Sequence, residues 1–157
     1  MTTDGIESVD TGARRVTRRT VVRTSPEMIF AALADPHRHG ELDGSGTVRD
    51  AVSGPDRVAM GDRFSLRMRQ FGVPYRITST VVEFEADRLL AWRHPLGHVW
   101  RWELAADPDG TRVTETFDYS TTHAAPMFEL TGRPGRNARG IEETLRRLPR
   151  RFGAHPA

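Results

Sequence analysis

The chain contains no cysteine and no lysine. The first absence excludes a disulfide framework and any thiolate-held metal. The second means that all 23 basic residues are arginine, against 21 acidic ones and a formal net charge of +2. Exclusive use of arginine fits a GC-rich coding bias better than selection for phosphate. Nucleic-acid binding would gather the arginines on one face with aromatics between them. Here two clusters stand out, Arg14-Arg15 with Arg18-Arg19 and Arg146-Arg147 with Arg150-Arg151, while Glu83, Glu85, Asp87, Glu142 and Glu143 break up the positive charge elsewhere. We therefore expect no nucleic-acid partner. No apolar run reaches membrane-spanning length, and no basic-then-apolar leader opens the chain, so the expectation is a cytoplasmic protein without membrane insertion. Nor is there a G-x-S-x-G elbow, a phosphate loop or a dinucleotide fingerprint, which disfavours nucleophilic hydrolysis and nicotinamide chemistry.

What is present is an order of patterned segments within 157 residues, enough for one domain with a core and a cavity. Residues 1–13 are polar and without period, and read as a disordered lead; 14–152 form the domain and 153–157 a tail. Valines and threonines alternate with arginines over 14–24, as in a strand with one wet face. Ser25-Pro26-Glu27 opens a helix, with the serine hydroxyl as N-cap, and Met28, Ile29, Ala32 and Leu33 as its packing face. Asp35-Pro36 stops it, and 37–46 hold a second short helix or an ordered loop before a strand near 47–52. Strands with short turns fill 61–120; Phe64, Leu66 and Met68 share a face, and Asp107-Pro108-Asp109-Gly110 is a hairpin signal. Such turns make a meander. Residues 121–134 read as a loop or broken helix. A helix over 136–152 follows, with Ile141, Leu145, Leu148 and Phe152 on one stripe and Pro149 kinking or shortening it.

The stretches Val22-Arg23-Thr24-Ser25-Pro26-Glu27, Phe30-Ala31-Ala32-Leu33-Ala34-Asp35-Pro36, Val82-Glu83-Phe84-Glu85 with Leu89-Leu90-Ala91-Trp92, and Gly110-Thr111-Arg112-Val113-Thr114-Glu115-Thr116 carry a resemblance, as does 137–148. Together they resemble the SRPBCC (START/Bet v 1-like) superfamily, in its polyketide cyclase/dehydrase and lipid-transport branch. The resemblance implies an α+β helix-grip fold, in which a seven-stranded curved antiparallel sheet wraps a long C-terminal helix around an apolar cavity. Members bind lipids, polyketides or aromatic metabolites, and a minority catalyse cyclisation, dehydration or hydrolysis. Fold alone cannot choose among these.

The inward parity is aromatic: Phe64, Tyr75, Trp92, Trp100, Trp102, Phe117 and Tyr119. Packing alone accounts for most of them, at roughly 1.5–3 kcal/mol each. A subset would line a cavity together with Leu66, Met68, Ile77, His94, Ile141 and Leu145. Glu115 shares this parity; it is either a poised acid or base, or half of a structural ion pair with an arginine such as Arg18. His94 and His98 flank Pro95-Leu96-Gly97 and are either solvated turn residues or groups at a cavity mouth. Asn137 reads as a cap of the last helix or as a mouth residue. His37, His39, Glu41 and Asp43 are metal-capable types at a spacing that fits no metal motif, so no metal and no cofactor are expected. The leading expectation is a monomer or homodimer that binds a small hydrophobic ligand. The alternative is a cyclase, aromatase or dehydratase in which Glu115, His98 or Tyr119 moves protons. A third reading, an interaction module, predicts a solid core and an exposed apolar patch.

Overall fold

Turns of a few residues leave successive strands no room to cross over, so each pairs with its predecessor. The computed structural model describes residues 2–3, 5–45 and 48–153. Among these residues, nine strands form one antiparallel sheet: β1 (Thr2–Thr3), β2 (Ile6–Val9), β3 (Arg15–Val22), β4 (Val48–Ser53), β5 (Arg63–Gln70), β6 (Val73–Glu85), β7 (Leu89–Arg93), β8 (Val99–Asp107) and β9 (Gly110–Asp118). Their spatial order is β1-β2-β3-β9-β8-β7-β6-β5-β4. The strands from β4 onward run as a meander, and β3 lies beside β9. The link from β3 to β4 must therefore span the sheet. It does so through α1 (Pro26–Leu33), a 3₁₀ turn (Pro36–Arg38) and α2 (His39–Leu42). After β9 come α3 (Ala125–Leu130) and α4 (Arg133–Leu148), the latter packed on β2, β3 and β9. The seven strands β3 to β9 with α4 make the expected α+β helix-grip arrangement.

One apolar core joins these layers. Ile29, Phe30 and Leu33 of α1, Val81 and Leu90 of the sheet, and Ile141, Leu145 and Leu148 of α4 are all buried within it. Phe30 meets Phe84 edge-on at 5.5 Å. The β8–β9 hairpin turns through Gly110 at φ 140°, where a Cβ would lie 2.1 Å from the carbonyl oxygen of Val22. Only glycine fits that approach.

Several expectations are corrected. The disordered lead over 1–13 gives way at β2: Ile6 is buried, and Glu7 takes two hydrogen bonds from Arg19 at 2.6 and 3.0 Å. A four-residue strand is too short to display a period, and its place is set by pairing with β1 and β3. Met1 and Asp4 of that lead, Thr47 of the strand expected near 47–52, and 154–157 of the tail lie outside the described residues. Ser25 occupies the N-cap position of α1, but its hydroxyl makes no capping bond. The last helix starts at Arg133, three residues earlier than the pattern suggested, because Pro134 falls in the first turn, where its missing N–H costs nothing. It ends at Leu148, and 149–153 continue as a π-turn from Pro149.

Candidate ligand-binding site

Alternation along the strands gathers one set of side chains on the face that α4 covers. Leu66, Met68 and their cross-strand partners Ile77 and Tyr75 come from β5 and β6. Trp92 of β7 lies opposite Trp100 of β8, and Trp102 of β8 lies opposite Glu115 of β9. Between these strands and α4 is a pocket of about 730 Å³. Its sheet wall is Leu66, Met68, Tyr75, Ile77, Trp92, Trp100, Trp102 and Glu115, with His94 and His98 at one end and Ile141 on the helix side. Leu33, His39 and Leu42 from the crossover also line it.

Four residues expected at this site lie elsewhere. Phe64 is buried beneath His39 and Trp92, whose rings it meets edge-on at 5.4 and 5.6 Å. Phe117 is covered by α3 and packs among Trp100, Tyr119 and Phe128. Tyr119 is turned toward α3, donating its hydroxyl to Glu129 Oε2 at 3.3 Å, so it carries no proton into the pocket. Leu145 lies one turn beyond Ile141, where α4 has already entered the solid core.

Loop and helix meet at the pocket edge by close backbone approach. Gly44 donates its N–H to Thr144 Oγ1 at 2.8 Å, and that hydroxyl donates to Gly140 O at 2.9 Å. A Cβ on Gly44 would lie 2.4 Å from the Thr144 nitrogen. Arg147 Nη1 also donates to Asp43 O at 2.6 Å, fixing the same loop on α4.

Burial biases Glu115, His94 and His98 of the wall toward their neutral forms. Glu115 is 5% exposed, and burial pushes its carboxyl well above the usual carboxylate range, with the Asp43 charge adding to the shift. The ion pair with Arg18 is not made: Arg18 Nε donates to Glu142 Oε1 of α4 at 3.1 Å. Instead, among the described residues, Glu115 Oε2 has no hydrogen-bond partner, and neither do Trp102 Nε1 and His98 Nδ1. His94 and His98 stack at 4.2 Å rather than facing solvent. Burial brings His94 down to about 4, helped by the Arg133 charge. It brings His98 down to about 3, helped by His94 and then Arg133. Since the Leu96 N–H donates to His94 Nδ1 at 3.0 Å, the neutral His94 ring carries its proton on Nε2. His39, weighed as a metal ligand, is buried, hydrogen-bonds Leu33 O through Nε2 at 2.7 Å, and stacks on Trp92 at 5.0 Å. Among the described residues no cluster of three or more metal-ligating side chains forms.

Of the helix side, sequence reasoning named Ile141 and offered Asn137 as a cap or a mouth residue, and it missed the rest. Arg133, Arg136, Asn137, Gly140 and Thr144 all line it with Ile141. Asn137 does not cap α4, which has Gly132 in the N-cap position at φ 75°. The spacing 133, 137, 141, 144 extends the Ile141 stripe toward the N-terminus and carries the signal. Polar residue types concealed it.

Among solved structures, the chain is similar to a protein of Rhodobacter sphaeroides, with TM-score 0.70, 19% identity, and coverage of 93% of this chain and 96% of that one. It is similar also to a "Polyketide_cyc-like" protein of Corynebacterium glutamicum, with TM-score 0.62 at 17% identity over 90% and 92% of the two chains. These likenesses concern the fold. A protein of Mycobacterium tuberculosis, named only as uncharacterized, is 48% identical over 145 residues, which is 89% of this chain and 65% of that protein. The chain thus spans somewhat less than two thirds of that relative's length. Residues 13–153 match the family described as polyketide cyclase / dehydrase and lipid transport, and to that family the chain belongs.

Proposed function

We propose that this protein binds a small, largely apolar and oxygen-bearing molecule in the pocket between its sheet and α4. One observation carries the reading. Of the four buried side-chain polar atoms without a partner among the described residues, three belong to residues that line this pocket: His98 Nδ1, Trp102 Nε1 and Glu115 Oε2. Each unmet buried group costs about 1–3 kcal/mol. A ligand oxygen reaching the sheet wall would satisfy them, while the tryptophans and aliphatic residues around them would cover its flat or chain-like body. The volume of about 730 Å³ lies within the range of small-molecule sites.

The test fills the pocket. Titration with the neutral fluorophore N-phenyl-1-naphthylamine should give saturable one-to-one binding, and Ile77→Trp should weaken it at least about tenfold without lowering thermal stability. Binding that ignores Ile77→Trp would place the probe elsewhere and sink the reading. Native mass spectrometry of protein purified from its own host should then reveal a co-purifying guest.

A second reading, a cyclase or dehydratase, is favoured by Glu115 alone. A buried neutral carboxyl beside an indole N–H can hand a proton to a carbonyl oxygen as it gains charge. In this reading Glu115→Gln abolishes turnover of a poly-β-carbonyl substrate and leaves its binding intact. An unchanged rate in that variant removes the enzyme reading.

A further inference from the structure

Arg133 is a half-buried cation on the pocket lining. Its guanidinium lies 4.4 Å over the Phe128 ring and lines the pocket with Tyr75, His94 and His98. Among the described residues it makes no ion pair or hydrogen bond. Burial lowers its affinity for its own proton, the neighbouring Arg136 charge lowers it further, and no carboxylate offsets either effect. The other groups around it give no negative charge: His94 and His98 are neutral, and burial raises the Tyr75 phenol. Two acids line the same pocket. Glu115 is buried and favours its protonated form, and Asp43 already accepts hydrogen bonds from Ser45 Oγ at 2.6 Å and the Val48 N–H at 3.3 Å. Arg136 is partly committed, donating to Thr131 O at 2.7 Å.

An arginine of this kind has a forked set of donors that fits a carboxylate or phosphate in two-point contact. Desolvated without a counter-ion it is unfavourable, and it becomes favourable when an anion arrives. From these contacts we infer that the ligand is an amphipathic acid whose anionic head is received by Arg133, with Arg136 adding charge, while its apolar body extends over the tryptophan wall. This rests on the pocket reading above and adds the charge and orientation of the guest.

The experiment displaces N-phenyl-1-naphthylamine with dodecanoate and with dodecanol, which share a chain and differ in charge. Wild-type protein should prefer dodecanoate by about tenfold. Arg133→Gln should lose that preference, with dodecanoate losing far more affinity than dodecanol or the fluorophore. A role of Arg133 limited to packing on Phe128 would weaken all three alike, and that result overturns the inference. So does wild type that binds neither dodecanoate nor dodecyl phosphate more tightly than the alcohol. Dodecyl phosphate in a parallel arm shows which anionic head is preferred, and either head beating the alcohol supports the assignment. Should Arg133→Gln fail to fold, wild-type salt dependence decides: raising salt from about 0.05 to 0.5 M must weaken the acid and spare the alcohol. Failure of the fluorophore itself to bind would overturn the pocket reading and this inference together, whereas loss of the acid preference alone leaves the pocket standing.

Discussion

At the scale of single residues, Glu115 and His98 occupy one wall and act oppositely on stability as pH changes. A carboxyl of ordinary affinity releases its proton near 4.5, whereas folded Glu115 holds on to higher pH. Its contribution is therefore full below about 4.5 and is lost as pH rises through the folded value. His98 runs the other way: an unfolded imidazole charges near 6.5, the folded one only near 3. Stability is full above 6.5 and falls as pH drops toward 3, with His94 contributing down to about 4. Each group can tilt the profile by at most about 1.4 kcal/mol per pH unit. Glu115→Gln should flatten the fall in stability above pH 4.5 and His98→Asn the fall below pH 6.5, read as urea midpoints between about pH 4 and 9. An alkaline slope that survives Glu115→Gln would show that the carboxyl is ionised in the folded protein. The strand parity was enough to point Glu115 inward. It could not reveal that Arg18, its register partner on β3, reaches past it to Glu142 on α4. A long side chain chooses its partner in three dimensions.

At the scale of elements, the fold depends on a few close approaches. Gly110→Ala must push the β8–β9 turn off Val22 O as well as adopt φ 140°, and should cost more than about 1 kcal/mol in denaturant unfolding. Gly44→Ala meets the Thr144 backbone at 2.4 Å and should both destabilise the protein and weaken ligand binding, because the same loop forms the pocket edge. Loss of stability with unaltered affinity would separate the loop from the site. Leu145→Ala, in a fully buried position, should cost about 2–5 kcal/mol by urea titration. Periodicity made the meander, α1 and the buried stripe of α4 legible, since each repeats over two or more turns or three or more strand positions. What it concealed were short or polar pieces: β2, whose four residues are placed by pairing with β1 and β3, and the first turn of α4, where Arg133 and Pro134 look like a break. The alternation also could not say where the pocket stops. Glu115 and Phe117 share a strand face, yet α3 lays Phe128 over the second and leaves the first open.

For the whole molecule, the pocket and the stability of the fold are linked by mass action. A guest that binds only the folded form adds about 2.7 kcal/mol at a hundredfold excess over its Kd. Protein stripped of bound apolar compounds by organic extraction should melt several degrees lower than protein carrying its guest, by calorimetry. Identical melting curves, with a guest detected in one sample only, would mean that it rests outside the pocket. The sheet is completed in an order with its own consequence. β3 must wait for β9, since Arg15 pairs with Asp118 and Val22 with Thr111. A ribosome therefore delivers roughly 90 further residues after β3 before that edge finds its partner, and until then β3 is open to other chains. Nascent or prematurely terminated forms of this protein should cling to chaperones or to one another.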